Sequence, residues 1–95
     1  MELLLFILKN CPYCIEALKW IEELKDENPE YSAVKLKIID ERTEAELANS
    51  YDYYYVPTFF YGKHKLHEGA ATKDKIRRVF DEYIKLSSQQ VPATE

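Results

Sequence analysis

Residues that interrupt regular structure are scarce in this chain. Its 95 residues include only two glycines and four prolines, whereas 46% of them are hydrophobic. A disordered or low-complexity chain typically has the opposite composition, so we expect an ordered core. A chain of this length suits one compact domain and leaves no room for a second.

Positive charge is also in short supply. The chain has 13 Lys and Arg residues against 17 Asp and Glu residues, which gives a formal net charge of −4. Proteins that bind nucleic acid usually present a basic face, so this balance argues against a nucleic-acid partner. We expect an acidic soluble protein.

The sequence has no apolar run long enough to cross a membrane. The N-terminal run occupies residues 3–8 and stops at Lys9, and Glu2 stands where a secretory signal would have basic residues. We therefore predict a cytoplasmic protein that has no membrane partner and is a monomer. Cysteine is rare as well, and a Cys-x-x-Cys pair in the cytosol is more often catalytic than structural, because reducing conditions keep static disulfides rare.

The two cysteines form the motif Cys11-Pro12-Tyr13-Cys14, directly after the apolar run. Pro12 suits the first position of a helix, because its φ angle is preset and its missing N–H is not needed there, so we predict a helix capped by Cys11. The helix dipole favours a thiolate at Cys11, and Cys14 lies one turn further on the same side. This is the layout of a dithiol redox site, in which Cys11 attacks a disulfide and Cys14 resolves the intermediate.

The same spacing has other interpretations. A Cys-x-x-Cys pair is also half of a zinc site, but His64 and His67 are the only histidines and stand closer together than the pairs usual in zinc sites. The cysteines can also be small apolar side chains that pack in the core of a binding domain. The order of strand, dithiol and helix favours redox chemistry. The alternative that stays open is a binding module that holds zinc or a bridged iron–sulfur cluster through its cysteines.

Strand and helix patterns alternate along the rest of the chain. Strands are predicted over residues 3–8, 34–39, 58–61 and 65–68, where apolar residues alternate or cluster between turn residues. Helices are predicted from Pro12, with an apolar stripe that begins at Ile15, from Thr43 to about Asn49, and from Thr72. The second helix has a capping-box pattern, in which Glu46 follows Thr43 at three residues. The third carries a stripe of five apolar residues: Ile76, Val79, Phe80, Tyr83 and Ile84.

This β-α-β-α-β-β-α order, with Cys-x-x-Cys at the first strand–helix junction and Val56-Pro57 before the third strand, resembles the thioredoxin superfamily. Cys-Pro-Tyr-Cys is the active-site string of dithiol glutaredoxins, and Val56-Pro57 matches their cis-proline motif. The resemblance implies an α/β thioredoxin-like fold over residues 1–86, with a four-stranded mixed sheet flanked by three helices. Residues 87–95 have little apolar surface, and we predict a flexible C-terminal tail there.

The resemblance also implies a function and a substrate class. The protein would be a thiol–disulfide oxidoreductase that requires no metal or organic cofactor, acting on protein disulfides or glutathione mixed disulfides. A thioredoxin reductase or glutathione would donate the electrons, and glutathione would be a possible co-substrate. Pro57 would be cis and would face Cys11, which leaves the backbone of Val56 free to pair with an extended peptide or with glutathione.

Two departures from the glutaredoxin pattern bear on the substrate. Tyr55 stands where glutaredoxins usually have Thr, and residues 68–74 lack the Gly-Gly pair and nearby Asp that hold glutathione. We therefore predict a preference for protein disulfides over glutathione. Thr72 and Asp74 remain candidates for binding a substrate carboxylate, because they lie at the start of a predicted helix.

Other side chains near the motif are candidates for substrate binding. Lys9 precedes the dithiol loop, where it can meet a substrate carboxylate, and Tyr13 lies inside the loop, where it can line the substrate groove. Alternate residues of an extended segment face opposite sides, so at least some rings of the tyrosine-rich segment, residues 51–55, should pack inward. Tyr55 is its best functional candidate, because it adjoins Val56. We expect His64 and His67 to be surface residues.

Overall fold

The computed structural model describes residues 2–90, which form an α/β domain of four strands and four helices. In chain order the elements are β1 (Leu3–Ile7), α1 (Pro12–Glu27), α2 (Pro29–Ser32), β2 (Leu36–Asp40), α3 (Ala45–Asn49), β3 (Thr58–Tyr61), β4 (His64–Glu68) and α4 (Lys73–Gln90). The four strands agree with the predicted ones to within two residues at each end. The predicted count of three helices is wrong, because α2 is a fourth.

The strands form one open, mixed sheet in the order β2-β1-β3-β4. Strand β1 pairs in parallel with β2 and antiparallel with β3, and β3 pairs antiparallel with β4. This confirms the predicted four-stranded mixed sheet. The two central strands are almost wholly buried, which explains why both read as continuous apolar runs.

Side chains of β1 alternate between the two faces of the sheet. Leu3, Leu5 and Ile7 join the larger core beneath α1 and α4. Phe6 belongs to a smaller core on the other face, with Ile39, Ala48 and Phe60. Each large apolar side chain that is buried in these cores contributes about 1.5–3 kcal/mol.

Helix α1 begins at Pro12 with Cys11 at its cap, as predicted, and it ends at Glu27. The stripe that it buries is Cys14, Ala17, Ile21 and Leu24. The expectation that the stripe begins at Ile15 is wrong, because Ile15 is 56% exposed. Cys14 takes that place, so its thiol is itself part of the core.

Helix α2 is a single turn that begins directly after the break in α1. Pro29 drives Asn28 into an extended conformation, with φ −143° and ψ 116°, which ends α1. The Asn28 side chain then accepts a hydrogen bond from the Glu30 N–H at 2.9 Å and caps the new turn. Tyr31 is buried there and donates its hydroxyl to Asp81 of α4 at 2.7 Å.

Helix α3 ends at Asn49 as predicted, but the predicted capping box is wrong. The helix begins at Ala45, with Glu44 at its cap position and no side-chain capping bond. Thr43 instead donates its hydroxyl to the carbonyl of Asp40 at 3.2 Å. The Asp40 carboxylate accepts from the Arg42 N–H at 2.8 Å, so a turn after β2 uses the residues that would otherwise start the helix earlier.

Thr72 caps α4, as predicted. Its hydroxyl oxygen accepts a hydrogen bond from the Lys75 N–H at 3.2 Å. The apolar stripe of α4 is buried, except that Ile84 is only half-buried. The helix continues to Gln90, so residues 87–90 of the predicted tail are helical, whereas the rest of that tail lies outside the described residues. Within residues 2–90, none of the helices has the length and apolar character needed to span a membrane.

Candidate functional site

Four loops meet at one edge of the sheet. Strands β1 and β2 both end there, with Ile7 beside Asp40. Strand β3 begins there and β4 ends there, since Thr58 pairs with both Phe6 and Glu68. This register brings together residues 8–14, 41–44, 54–57 and 68–72, which we call the dithiol edge.

Cys11 occupies the cap position of α1 in an extended conformation, with φ −78° and ψ 122°. Its carbonyl accepts the first helical hydrogen bonds, from the N–H groups of Cys14 and Ile15, both at 3.0 Å. Its own N–H donates to the carbonyl of Leu8 at 3.1 Å. The backbone of Cys11 is therefore held firmly, while its thiol forms no capping bond to the helix and is only half-buried.

Cys14 lies one turn further along α1 and is 1% exposed. Burial raises the pKa of its thiol to about 12, a hydrogen bond with the Leu8 backbone opposes this rise, and a hydrogen bond with the Cys11 thiol adds to it. Both cysteines are free thiols. Cys14 thus stays protonated at neutral pH, and its thiol is shielded from solvent.

The Val56-Pro57 bond is cis, as predicted. Pro57 is fully buried, and the sheet register places it beside the end of β1, just before the dithiol loop. Its carbonyl accepts a hydrogen bond from the Gly69 N–H at 2.9 Å. Val56 is half-buried and packs against the core that contains Cys14. The direct contact of Pro57 with Cys11 stays a prediction.

The inward packing expected for some rings of the tyrosine-rich segment is confirmed for Tyr51 and Tyr53, but strict alternation ends before Tyr55, which is exposed like its neighbour Tyr54. Tyr51 and Tyr53 pack on Phe6 with ring centroids 4.9 and 5.0 Å apart, and Tyr53 donates its hydroxyl to the Glu41 carboxylate at 2.7 Å. Burial, followed by this bond, raises the pKa of Tyr53 well above its ordinary value. Tyr54 and Tyr55 are 84% and 69% exposed. The Tyr55 ring is therefore accessible at the dithiol edge.

Glu68 is the residue of this edge that sequence reasoning missed. One oxygen of its carboxylate, Oε2, accepts hydrogen bonds from the backbone N–H groups of both Tyr54 and Tyr55, and the other, Oε1, accepts from Lys65 at 2.7 Å. The bond from Lys65, followed by those from the two N–H groups, lowers the pKa of Glu68 to about 2. No local pattern indicates these bonds, because the partners are 13 and 14 residues apart and meet only when the sheet forms.

The remaining candidates lie at or near the same edge. Tyr13 is 55% exposed in the dithiol loop, and Lys9 is exposed just before it. Thr72 is engaged as the cap of α4. Asp74 pairs with two residues of its own helix, Arg77 at 2.9 Å and Arg78 at 3.3 Å. Both side chains of the predicted carboxylate site are thus already bonded within the helix.

The histidines form no pair at this edge. His64 is exposed, as expected, and the half-buried His67 donates its Nε2 to the carbonyls of Gly69 and Ala70, at 3.0 and 3.2 Å. Across residues 2–90 there is no group of three or more His, Cys, Asp or Glu side chains placed to hold a metal ion.

Comparison with known proteins adds no family to this description. The sequence matches no protein-family model, and no curated protein matches it.

Proposed function

We propose that this protein is a thioredoxin-like thiol–disulfide oxidoreductase in which Cys11 attacks and Cys14 resolves. The observation that carries the proposal is the contrast between the two thiols. Cys11 is half-exposed at the start of α1, whereas Cys14 is buried and protonated one turn further along. An attacking thiol must reach its substrate, but a resolving thiol needs to reach only the attacking one. The mixed sheet, with α1 directly after β1, also supports a thioredoxin-like fold.

The reaction has two exchange steps. The Cys11 thiolate attacks one sulfur of the substrate disulfide, forms a mixed disulfide with it and releases the other sulfur as a thiolate, which takes up a proton. Cys14 then loses its proton and attacks the Cys11 sulfur, which forms the Cys11–Cys14 disulfide and releases the second substrate thiol. The substrate gains two electrons and two protons, and the dithiol loses them. A thioredoxin reductase or glutathione returns them.

The surroundings of the thiols support this division of labour. Cys11 lies at the N-terminal end of α1, the end of a helix near which anions are stabilised. The raised pKa of Cys14 keeps it from competing for the substrate in the first step. Once a mixed disulfide has formed, the two cysteines are held one turn apart, so the second step is intramolecular and fast. The chemistry needs no metal or organic cofactor.

The preferred substrates in this proposal are protein disulfides. An extended peptide can pair with the backbone of Val56 and lie against the exposed rings of Tyr13 and Tyr55. Glutathione has two carboxylates that need donors or cations. Lys9 is the cation nearest the dithiol loop in sequence, and the side chains of Thr72 and Asp74 are engaged within α4.

Alkylation tests the roles of the two thiols. Limiting iodoacetamide near neutral pH should modify Cys11 first, because Cys14 is buried and protonated. Preferential labelling of Cys14 would reverse the assignment. A Cys14→Ser variant should accumulate a mixed disulfide at Cys11, and a Cys11→Ser variant should not reduce insulin.

Thiol titration tests the proposal against the metal-binding alternative. Mild oxidation of the purified protein should remove both thiols reversibly, without a change in mass beyond the loss of two hydrogens. If the purified protein instead contains stoichiometric zinc or iron and its thiols are protected from titration, the oxidoreductase proposal fails.

A further inference from the structure

The backbone of residues 54–56 has no regular secondary structure and is fixed by hydrogen bonds to residues outside the segment. These residues follow α3 and precede β3, and they belong to neither a helix nor a strand. Their N–H and C=O groups therefore need other partners if the segment is to keep one conformation. Glu68, at the end of β4, provides one acceptor oxygen for two of the N–H groups, those of Tyr54 and Tyr55.

The Glu68 carboxylate is itself fixed in orientation. Its Oε2 accepts from the N–H groups of Tyr54 and Tyr55, the latter at 2.9 Å, and its Oε1 accepts from Lys65. Hydrogen bonds to an ionised acceptor are stronger than those between neutral groups. Lys65 thus orients the Glu68 carboxylate, and the carboxylate in turn orients the segment of residues 54–56.

Two further bonds hold the segment on either side of Val56. The Thr58 hydroxyl donates to the carbonyl of Tyr55, and the Gly69 N–H donates to the carbonyl of Pro57 at 2.9 Å. Within residues 2–90, neither the N–H nor the C=O of Val56 has a hydrogen-bond partner. The chain is thus fixed before and after a single residue whose own backbone groups stay available.

We propose that Glu68 is a positioning residue that sets the backbone of Val56 at the distance and angle at which an extended peptide substrate pairs with it. The inference rests on the proposed oxidoreductase function. Backbone pairing requires donors and acceptors within hydrogen-bond distance, so greater mobility of residues 54–56 weakens the binding of a peptide. A small disulfide that has no peptide backbone cannot pair with the backbone of Val56. Glu68 therefore acts on peptide substrates and not on the reactivity of Cys11.

Steady-state kinetics with two substrates tests the role of Glu68. Insulin serves as the peptide disulfide, and hydroxyethyl disulfide serves as an uncharged disulfide too small to pair with Val56. For Glu68→Ala we expect KM for insulin to rise about tenfold with kcat little changed, and the rate with hydroxyethyl disulfide to stay within about twofold. Glu68→Gln keeps one acceptor oxygen and almost the same shape, so it should fold and show a smaller rise in KM.

Lys65→Gln is the matched control, because it removes the ion pair but leaves the carboxylate to hold Tyr54 and Tyr55. Its KM for insulin should change less than that of either Glu68 variant. An equal loss with both substrates in the Glu68 variants, or an unchanged KM for insulin, would overturn the role of Glu68 while the oxidoreductase function stands. If the unmodified protein reduces neither substrate, the proposed function fails and this inference fails with it.

Discussion

Single side chains control the chemistry of the dithiol edge, and Cys14 does so through its burial. The thiol stays protonated because ionisation inside the core is costly. This has a consequence for stability, since the folded pKa of about 12 lies above the ordinary value of 9.0. Below pH 9 both the folded and the unfolded chain keep the proton, and the stabilising contribution is fully present.

As pH rises from 9 toward about 12, the unfolded chain loses this proton first, and the folded state is destabilised. We therefore predict that the reduced protein loses stability in this range more steeply than a Cys14→Ser variant, in which the group does not ionise. Urea unfolding under reducing conditions at several alkaline pH values measures the difference. Parallel curves for the two proteins would show that the Cys14 proton contributes nothing.

Glu68 changes the stability of the fold at the other end of the pH scale, because its stabilising contribution is lost in acid, whereas that of Cys14 is lost in alkali. Its folded pKa of about 2 is below the ordinary 4.5, so its contribution is complete above pH 4.5 and disappears as pH falls toward 2. We predict that thermal unfolding of the unmodified protein responds to acid in this range more strongly than that of Glu68→Gln. The backbone amide signals of Tyr54 and Tyr55 in NMR spectra should shift as pH approaches 2, where Glu68 gains its proton in the folded state, and only in the unmodified protein.

Tyr53 and Tyr54 are neighbours with different energetic roles. The Tyr53 hydroxyl donates to Glu41 at 2.7 Å in a part-buried position, whereas Tyr54 is 84% exposed. Tyr53→Phe keeps the packing on Phe6 and removes only the bond, so it should lower the free energy of unfolding by about 1 kcal/mol. Tyr54→Phe is the control, and we expect almost no change. Equal effects in chemical denaturation would contradict the assignment.

At the scale of elements, a threonine stands near the start of both α3 and α4, but only one of them caps a helix. Thr72 accepts the bond from Lys75, whereas Thr43 is turned toward the carbonyl of Asp40. We predict that Thr72→Ala costs about 1 kcal/mol of unfolding free energy and that Thr43→Ala costs less. If Thr72 also binds a substrate carboxylate, its variant will in addition raise KM for a glutathione mixed disulfide.

Elements whose ends are set by local backbone chemistry were predictable from the sequence. Pro12 starts α1 and Pro29 ends it, because proline restricts its own φ angle and the conformation of the residue before it. The start of α3 was not predictable, since the turn at Asp40 competes with the capping box for the same residues. Nor was α2, because one turn has too few residues to show a period.

In the candidate site, too, some residues were predictable from the sequence and others were not. Cys11, Cys14 and the cis bond before Pro57 belong to short motifs that can be read directly from the chain. The role of Glu68 depends on the pairing of β3 with β4, which brings the end of one strand beside the loop that precedes the other. Contacts of this kind follow from register, and no local pattern of residues encodes them.

For the molecule as a whole, the prediction concerns its choice of substrate. The chain has a net charge of −4 and lacks the Gly-Gly and Asp arrangement expected for glutathione. Each missing charge-assisted contact to a carboxylate is worth about 1.5–3 kcal/mol, which weakens binding about tenfold or more. Turnover of a glutathione mixed disulfide should therefore be slow compared with reduction of insulin. Efficient turnover with tight glutathione saturation would contradict this preference.

The open sheet described above has a further consequence, for aggregation. Its outer strands, β2 and β4, leave unpaired backbone groups on which a second chain can align. In β2 the residues are Leu36, Lys37, Ile38, Ile39 and Asp40, and Ile38 is 46% exposed. Lys37 is an exposed charge between Leu36 and Ile38, so we expect it to oppose intermolecular strand pairing. Replacing it with Val should make the protein turbid on storage at concentrations where the unmodified chain stays clear.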